Sequence, residues 1–241
     1  IKVHRAVSCL LRRNLVTDSI DATGIWLDYG NRNSRVTQNV VLHIDCTHGG
    51  IFMEASQAPN MVDTNIVWAT RGNGIYQHDC DELIIAHNFV GQSTQNALLM
   101  RVCKDRIVLG RPTTAKRNKI LNNIFLGDAM LSISDPDNMS DHNVFVTPNR
   151  PFDLAAWRAK HGWDRNSVAA TVRATFNTKT LEFTWSAAEP IPECPAVDGI
   201  THDFFDRLRQ AGTVMPGPFS SVPREPTRVE LRAQFARDSH E

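Results

Sequence analysis

The sequence predicts an all-β chain wound as a right-handed parallel β-helix, a solenoid of short stacked strands, with a mixed C-terminal flanking segment. Three observations carry this. First, a template recurs at Gly24-Ile25-Trp26-Leu27-Asp28, Gly50-Ile51-Phe52-Met53-Glu54 and Gly74-Ile75-Tyr76-Gln77-His78. It continues at Ala97-Leu98-Leu99-Met100-Arg101 and is preceded by Ile1-Lys2-Val3-His4. Second, an Asn followed by an apolar residue trails each unit: Asn14, Asn39, Asn65 and Asn88, then Asn123 and Asn143. Third, the stretches between are β-branched with two-residue alternation, broken by Gly, Asn and Asp, and carry no helical period.

A period near two dozen residues also suits leucine-rich repeats, but their L-x-x-L-x-L-x-x-N template is absent. Each unit is then two or three short strands joined by turns, stacking on the next to bury a continuous core. The Asn residues read as structural. Asn tolerates turn geometry, and its amide can bond the equivalent amide one coil away. Between Arg101 and Asn123 the spacing grows, and the stretch around Gly110-Arg111-Pro112-Thr113-Thr114 reads as a loop leaving the stack. After Pro148 the repeat fades. Residues 152–161 and 203–210 read as helical, 170–185 as strands, and the tail from Pro216 is rich in Pro, Ser and charge. The expected organisation is coils over 1–149 and a capping and flanking segment over 150–241, because a solenoid needs its open end covered. The strand-like opening at Ile1 and Val3 leads to the expectation of a preceding segment, or a partner chain, covering the first coil.

Composition excludes several classes. Hydrophobic residues make up 41% and charged residues 22%, ordinary for a globular protein. The 26 basic and 26 acidic side chains cancel, which argues against a nucleic-acid partner, since such proteins carry a basic stripe. No apolar run approaches the ~20 residues of a membrane span. The five cysteines are too scattered for a disulfide framework or a CxxC metal knuckle, so they read as free structural thiols.

Strand alternation assigns faces. Ile1, Val3, Ile25, Leu27, Ile51, Met53, Ile75, Leu98 and Met100 point into the coil, with Gln77 the one misfit. Two columns then point outward: Lys2, Trp26, Phe52, Tyr76, Leu99, and beside it His4, Asp28, Glu54, His78, Arg101. Neighbouring strands lie about 4.8 Å apart, so Asp28 and Glu54 should place their carboxyl groups roughly 5 Å apart. Like charges opposite one another destabilise a sheet, so fold stability alone gives no reason for the pair. Retaining glycosidases need two carboxyl groups at about 5–5.5 Å, one as nucleophile and one as acid/base. Trp26, Phe52 and Tyr76 would offer faces for a sugar ring, His78 and Arg101 would bond its hydroxyls, and His4 would hold Asp28. A ladder of His4, Asp28, Glu54 and His78 does not converge on one ion, so no metal or other cofactor is expected.

With Trp26-Leu27-Asp28, Phe52-Met53-Glu54 and Val62-Asp63-Thr64-Asn65-Ile66, the sequence resembles the β-xylosidases of glycoside hydrolase family 120 over roughly residues 1–149, and more loosely over 157–167. The resemblance implies a parallel β-helix enzyme that retains anomeric configuration, with Asp28 as nucleophile and Glu54 as acid/base. The expected activity is therefore hydrolysis of an oligosaccharide substrate. Two alternatives stand beside it: a β-helix lyase or epimerase acting on uronates, and a non-catalytic carbohydrate-binding solenoid.

Overall fold

The protein is described by a computed structural model covering residues 1–128, 130–148 and 152–235. Three parallel sheets run the length of the stack. The first holds Lys2–His4, Ile25–Asp28, Ile51–Glu54, Ile75–His78, Leu98–Arg101 and Leu131–Ile133. The second holds Leu10–Arg12, Arg35–Thr37, Gln57–Asp63, Asp81–Ala86, Lys119–Leu121 and Met139–Asp141. The third runs from Leu15–Ile20 through Val40–Asp45, Ile66–Arg71, Phe89–Ser93, Ile124–Leu126 and Val144–Val146 to Val168–Ala169. This is the right-handed parallel β-helix the repeat predicts. The register follows the template, with Ile25 opposite Ile51, Ile51 opposite Ile75 and Ile75 opposite Leu98.

The local reasons are visible in the motif. At Gly74 an added Cβ would overlap Val90 Cγ1 and sit 2.8 Å from the Ala97 carbonyl, so that unit must start on the smallest residue. Between the second and third sheets every corner has two residues: Arg13-Asn14, Gln38-Asn39, Thr64-Asn65, His87-Asn88, Asn122-Asn123 and His142-Asn143. The first of each pair has φ between 55° and 58°, and the Asn turns its amide inward along the stack. Asn14 Nδ2 donates to Asn39 Oδ1, Asn39 to Asn65, Asn65 to Asn88, Asn88 to Asn123 and Asn123 to Asn143, all at 2.9–3.0 Å. Each Oδ1 also accepts the backbone N–H of the preceding Asn. The column therefore satisfies corner groups that the strands leave over. A shorter ladder that the spacing does not reveal runs along the start of the second sheet. There Ser34 N–H meets Asn60 Oδ1, and Asn118 Nδ2 meets Asn138 Oδ1.

Ile25, Leu27, Ile51, Met53, Ile75, Leu98 and Met100 fill the coil interior, as alternation predicts. Gln77 points inward too and is fully buried, its Nε2 donating to Cys80 O. The five cysteines are free thiols. Cys80 is structural: its sulfur accepts the Ser56 N–H and donates to His78 O.

The C-terminal part packs against the coils in two places. Phe152, Trp163 and Leu154, the first residue of the helix Leu154–His161, pack against the coil interior at its far end, and Asp153 caps that helix. Strands Val172–Asn177, Glu182–Ala187 and Thr227–Glu230 form an antiparallel sheet. Its Val172, Phe183 and Trp185 join Val40, Ile66, Trp68 and Phe89 on the outer side of the third sheet in one buried cluster. The boundary expected at 149/150 lies outside the described residues, and the third sheet continues beyond it at Val168–Ala169. The helix expected over 203–210 does not form. Asp203 is buried, and its Oδ1 accepts the N–H groups of Phe205 and Arg207, a local capping pattern that competes with helix. Among the described residues no helix is long and apolar enough to cross a membrane.

His87 ties the two parts together. It is buried at its corner, with Nδ1 3.3 Å from Gly217 O and Nε2 3.1 Å from Asn122 Nδ2. These contacts require a neutral ring that donates from Nδ1 and accepts at Nε2. Burial, with the Arg209 charge adding to it, pushes the imidazole down to about 3. An unfolded chain binds this proton near 6.5, so stability is lost as pH falls from about 6.5 toward 3. Urea unfolding at pH 7 and pH 5 should differ by about 2 kcal/mol from this group, and His87→Asn should remove that share. An unchanged pH slope in the variant would show that His87 is not its source.

Candidate active site

The C-terminal ends of the first-sheet strands bring the outward polar column together. Lys2, Trp26, Phe52, Tyr76 and Leu99 are register partners, as are His4 with Asp28 and Glu54 with His78 and Arg101. Leu27 pairs with Met53, so Asp28 and Glu54 follow at equivalent places on neighbouring strands, which are spaced about 4.8 Å apart. Their side chains are 17% and 16% exposed: partly buried, yet open to solvent.

Each carboxyl has a cation against it. Lys2 Nζ lies 2.9 Å from Asp28 Oδ2 and 3.6 Å from the centre of the Trp26 ring. His4 does not hold Asp28; it stacks on Tyr29 at 5.6 Å instead. The reason is reach, since the longer lysine bridges the strand from the neighbouring column. Arg106 Nη2 lies 3.1 Å from Glu54 Oε1 and 3.1 Å from Asp79 Oδ2. His78 Nδ1 is 3.0 Å from Asp79 Oδ2, and its Nε2 is 3.6 Å from Glu54 Oε1. Burial pushes the His78 imidazole down, against the opposing pull of Asp79 and Glu54.

The aromatic column is stacked but not open. Trp26 to Phe52 is 5.3 Å and Phe52 to Tyr76 is 4.8 Å. His48 lies on both Phe52 and Tyr76, leaving each of those two rings 2% exposed. The stripe of three sugar-facing rings expected from alternation is thus reduced to Trp26. Arg101 Nε donates to Tyr76 Oη at 3.0 Å, and burial pushes that phenol up. Arg101 and His78 are both engaged with protein groups rather than held free for a ligand.

Sequence reasoning misses His48, Asp79 and Arg106. Arg106 belongs to the excursion 102–118, which contains an antiparallel hairpin, Ile107–Val108 with Arg111–Pro112. The enlarged spacing between Arg101 and Asn123 is its signal. A cavity of about 1040 Å³ lies elsewhere, between the far turns of the third sheet and strand Val172–Asn177.

Residues 1–149 match the family described as periplasmic copper-binding protein (NosD). The chain belongs to the NosD family. The match covers most of the coil region. A donor set suited to copper combines thiolate, thioether or imidazole groups converging on one point. Among the described residues no three His, Cys, Asp or Glu side chains are placed to hold a metal. The soft pair Cys46 Sγ and His48 Nδ1, 4.0 Å apart, lacks a third member. The described residues of this NosD-family chain do not fit copper. A solved structure, the complex of XylC with xylose, is similar at a TM-score of 0.64 and 13% identity. The match covers 95% of this chain and 44% of that one, so the chain spans less than half the length of XylC. No curated protein matches the sequence.

Proposed function

We propose that the chain acts as a retaining glycoside hydrolase, β-xylosidase-like, on oligosaccharides, with Asp28 as nucleophile and Glu54 as acid/base. The observation that carries the reading is the placement of these two carboxyl groups at equivalent positions on adjacent coils, both partly exposed. A strand spacing of about 4.8 Å leaves room for direct attack on an anomeric carbon but not for an interposed water, which needs about 6.5–9.5 Å. The roles follow from the resemblance to glycoside hydrolase family 120, because spacing alone makes the carboxyls interchangeable. The likeness to XylC, whose structure holds xylose, supports a pentose substrate. Trp26 is the ring of the three left partly exposed to meet a sugar, by its edge, since Lys2 lies over one face and Phe52 stacks on it too.

The test is a panel of aryl α- and β-glycosides, with the first-formed product followed by NMR. Turnover of a β-xyloside with the substrate's anomeric configuration kept is the expected result, and an inverted product would overturn the retaining mechanism. A uronate lyase is the second reading. It is favoured by Lys2 and Arg106, which set cations against Asp28 and Glu54 and make the site more basic than the polar column alone suggests. Such an enzyme would release unsaturated uronates, visible by ultraviolet absorbance, without net hydrolysis.

A further inference from the structure

We infer that Asp79, His78 and Arg106 are positioning residues that give Glu54 a hydrogen-bond partner in each of its protonation states. The inference rests on the glycosidase reading and names parts of that site which neither the resemblance nor the spacing supplies.

The argument begins with the turn. Arg5, Tyr29, Ala55 and Asp79 occupy the same place on successive coils, one residue beyond the outward column, with φ of 53°, 39°, 45° and 59°. Ala55 and Tyr29 show that this left-handed position needs no carboxylate. Yet Asp79 buries one completely. An ionised group taken out of water is costly unless it is paired, so its partners reveal its purpose. Oδ1 accepts the Cys103 N–H at 2.7 Å, while Oδ2 faces His78 Nδ1 and Arg106 Nη2.

A carboxylate at Nδ1 fixes the proton there. Nε2 of a neutral ring is then left as an acceptor, pointing at Glu54 Oε1. When Glu54 carries its proton, it can donate to Nε2; the 3.6 Å gap is of the loose kind that tightens once substrate binds. When Glu54 has given the proton to a leaving group, Arg106 Nη2, 3.1 Å from the same oxygen, faces the new negative charge. The proton later taken from the attacking water restores the first state. The charged and titratable groups around His78 are Glu54 on the preceding strand, Tyr76 on its own strand with its ring 5.5 Å away, Asp79 and Cys80 just beyond it, Arg101 on the following strand and Arg106 from the excursion.

The test is nitrogen NMR of histidine-labelled full-length protein, which reads tautomer and titration without needing turnover. His78 should be the Nδ1–H tautomer, and its titration should change in Glu54→Gln. Asp79→Ala, a residue this turn already accepts at Ala55, should release the tautomer preference. An unchanged tautomer in Asp79→Ala, or an unchanged His78 titration in Glu54→Gln, would overturn the inference. With an aryl glycoside, Asp79→Ala and Arg106→Met should each lower kcat roughly 10–100-fold, the range of outer-sphere substitutions, and should shift the acidic and basic limbs of the pH profile. Arg106→Lys should recover part of the loss. A purely structural role would leave the pH profile in place and is excluded if the limbs move. NMR coupling without turnover of any glycoside would defeat the glycosidase reading and leave the positioning geometry standing. Turnover with an unmoved profile would do the reverse.

Discussion

Asp28→Asn is expected to remove roughly 10⁴-fold or more of the turnover, the scale seen when a nucleophile working within a concerted group is lost. An amide keeps the shape and can still meet Lys2, whose Nζ lies 2.9 Å from Oδ2, but it cannot form the glycosyl ester. The loss should therefore be as large with activated aryl leaving groups as with natural ones. Glu54→Ala should behave differently. Good leaving groups depart without an acid, so the first step survives with them, and the glycosyl-enzyme accumulates because no base activates water. Added azide should then restore turnover and yield a glycosyl azide of unchanged configuration. Equal losses in both variants, with no azide rescue, would place the chemistry on other residues.

The second large effect concerns the fold. Asn65 is fully buried and makes four hydrogen bonds within the column. Its Nδ2 donates to Val36 O and Asn88 Oδ1, and its Oδ1 accepts from Asn39 N and Nδ2. Asn65→Leu keeps similar bulk but removes four hydrogen bonds inside the stack. At roughly 1–1.5 kcal/mol each, and more where desolvation is uncompensated, the cost is about 4–6 kcal/mol against a total stability of about 5–15 kcal/mol. Asn14→Leu, at an exposed end of the same column, should cost about 1 kcal/mol. Urea unfolding compares them, and hydrogen exchange should show the Asn65 variant losing protection in the coils on either side. Equal effects at the two positions would mean that the amides contribute as independent turn residues rather than as a column.

The repeat made the architecture readable because stacking forces equivalent residues into equivalent environments. The Gly starts reflect a close approach, the Asn markers a shared corner, and the alternating Ile, Leu and Met a common interior. The carboxyl pair was legible for the same reason, since register follows from the template. What surrounds the pair was not. Lys2 lies in the aromatic column, and nothing in alternation tells that its amine reaches Asp28. His48 precedes its coil's Gly-Ile start, and Arg106 sits in an excursion outside the period, so neither inherits a place from its neighbours. The closed state of Phe52 and Tyr76 depends on His48, which stacks on both. The segment 203–210 has helical composition, but Asp203 spends its carboxylate on local N–H groups, a choice made by tertiary burial.

The corners of the coil also decide where this chain can change length. The Asn corner has two residues in every coil, and an added residue there would break the amide column and shift a strand out of register. The corner from the first to the second sheet is short at Ala55-Ser56 and long across 102–118, with Asp28, Glu54 and His78 at its mouth. New loops can therefore be grafted beside the carboxyl pair, at the exposed turn Leu109-Gly110, without disturbing the stack. In such a scaffold, substrate selectivity and backbone stability can be altered separately, because they are encoded at different corners.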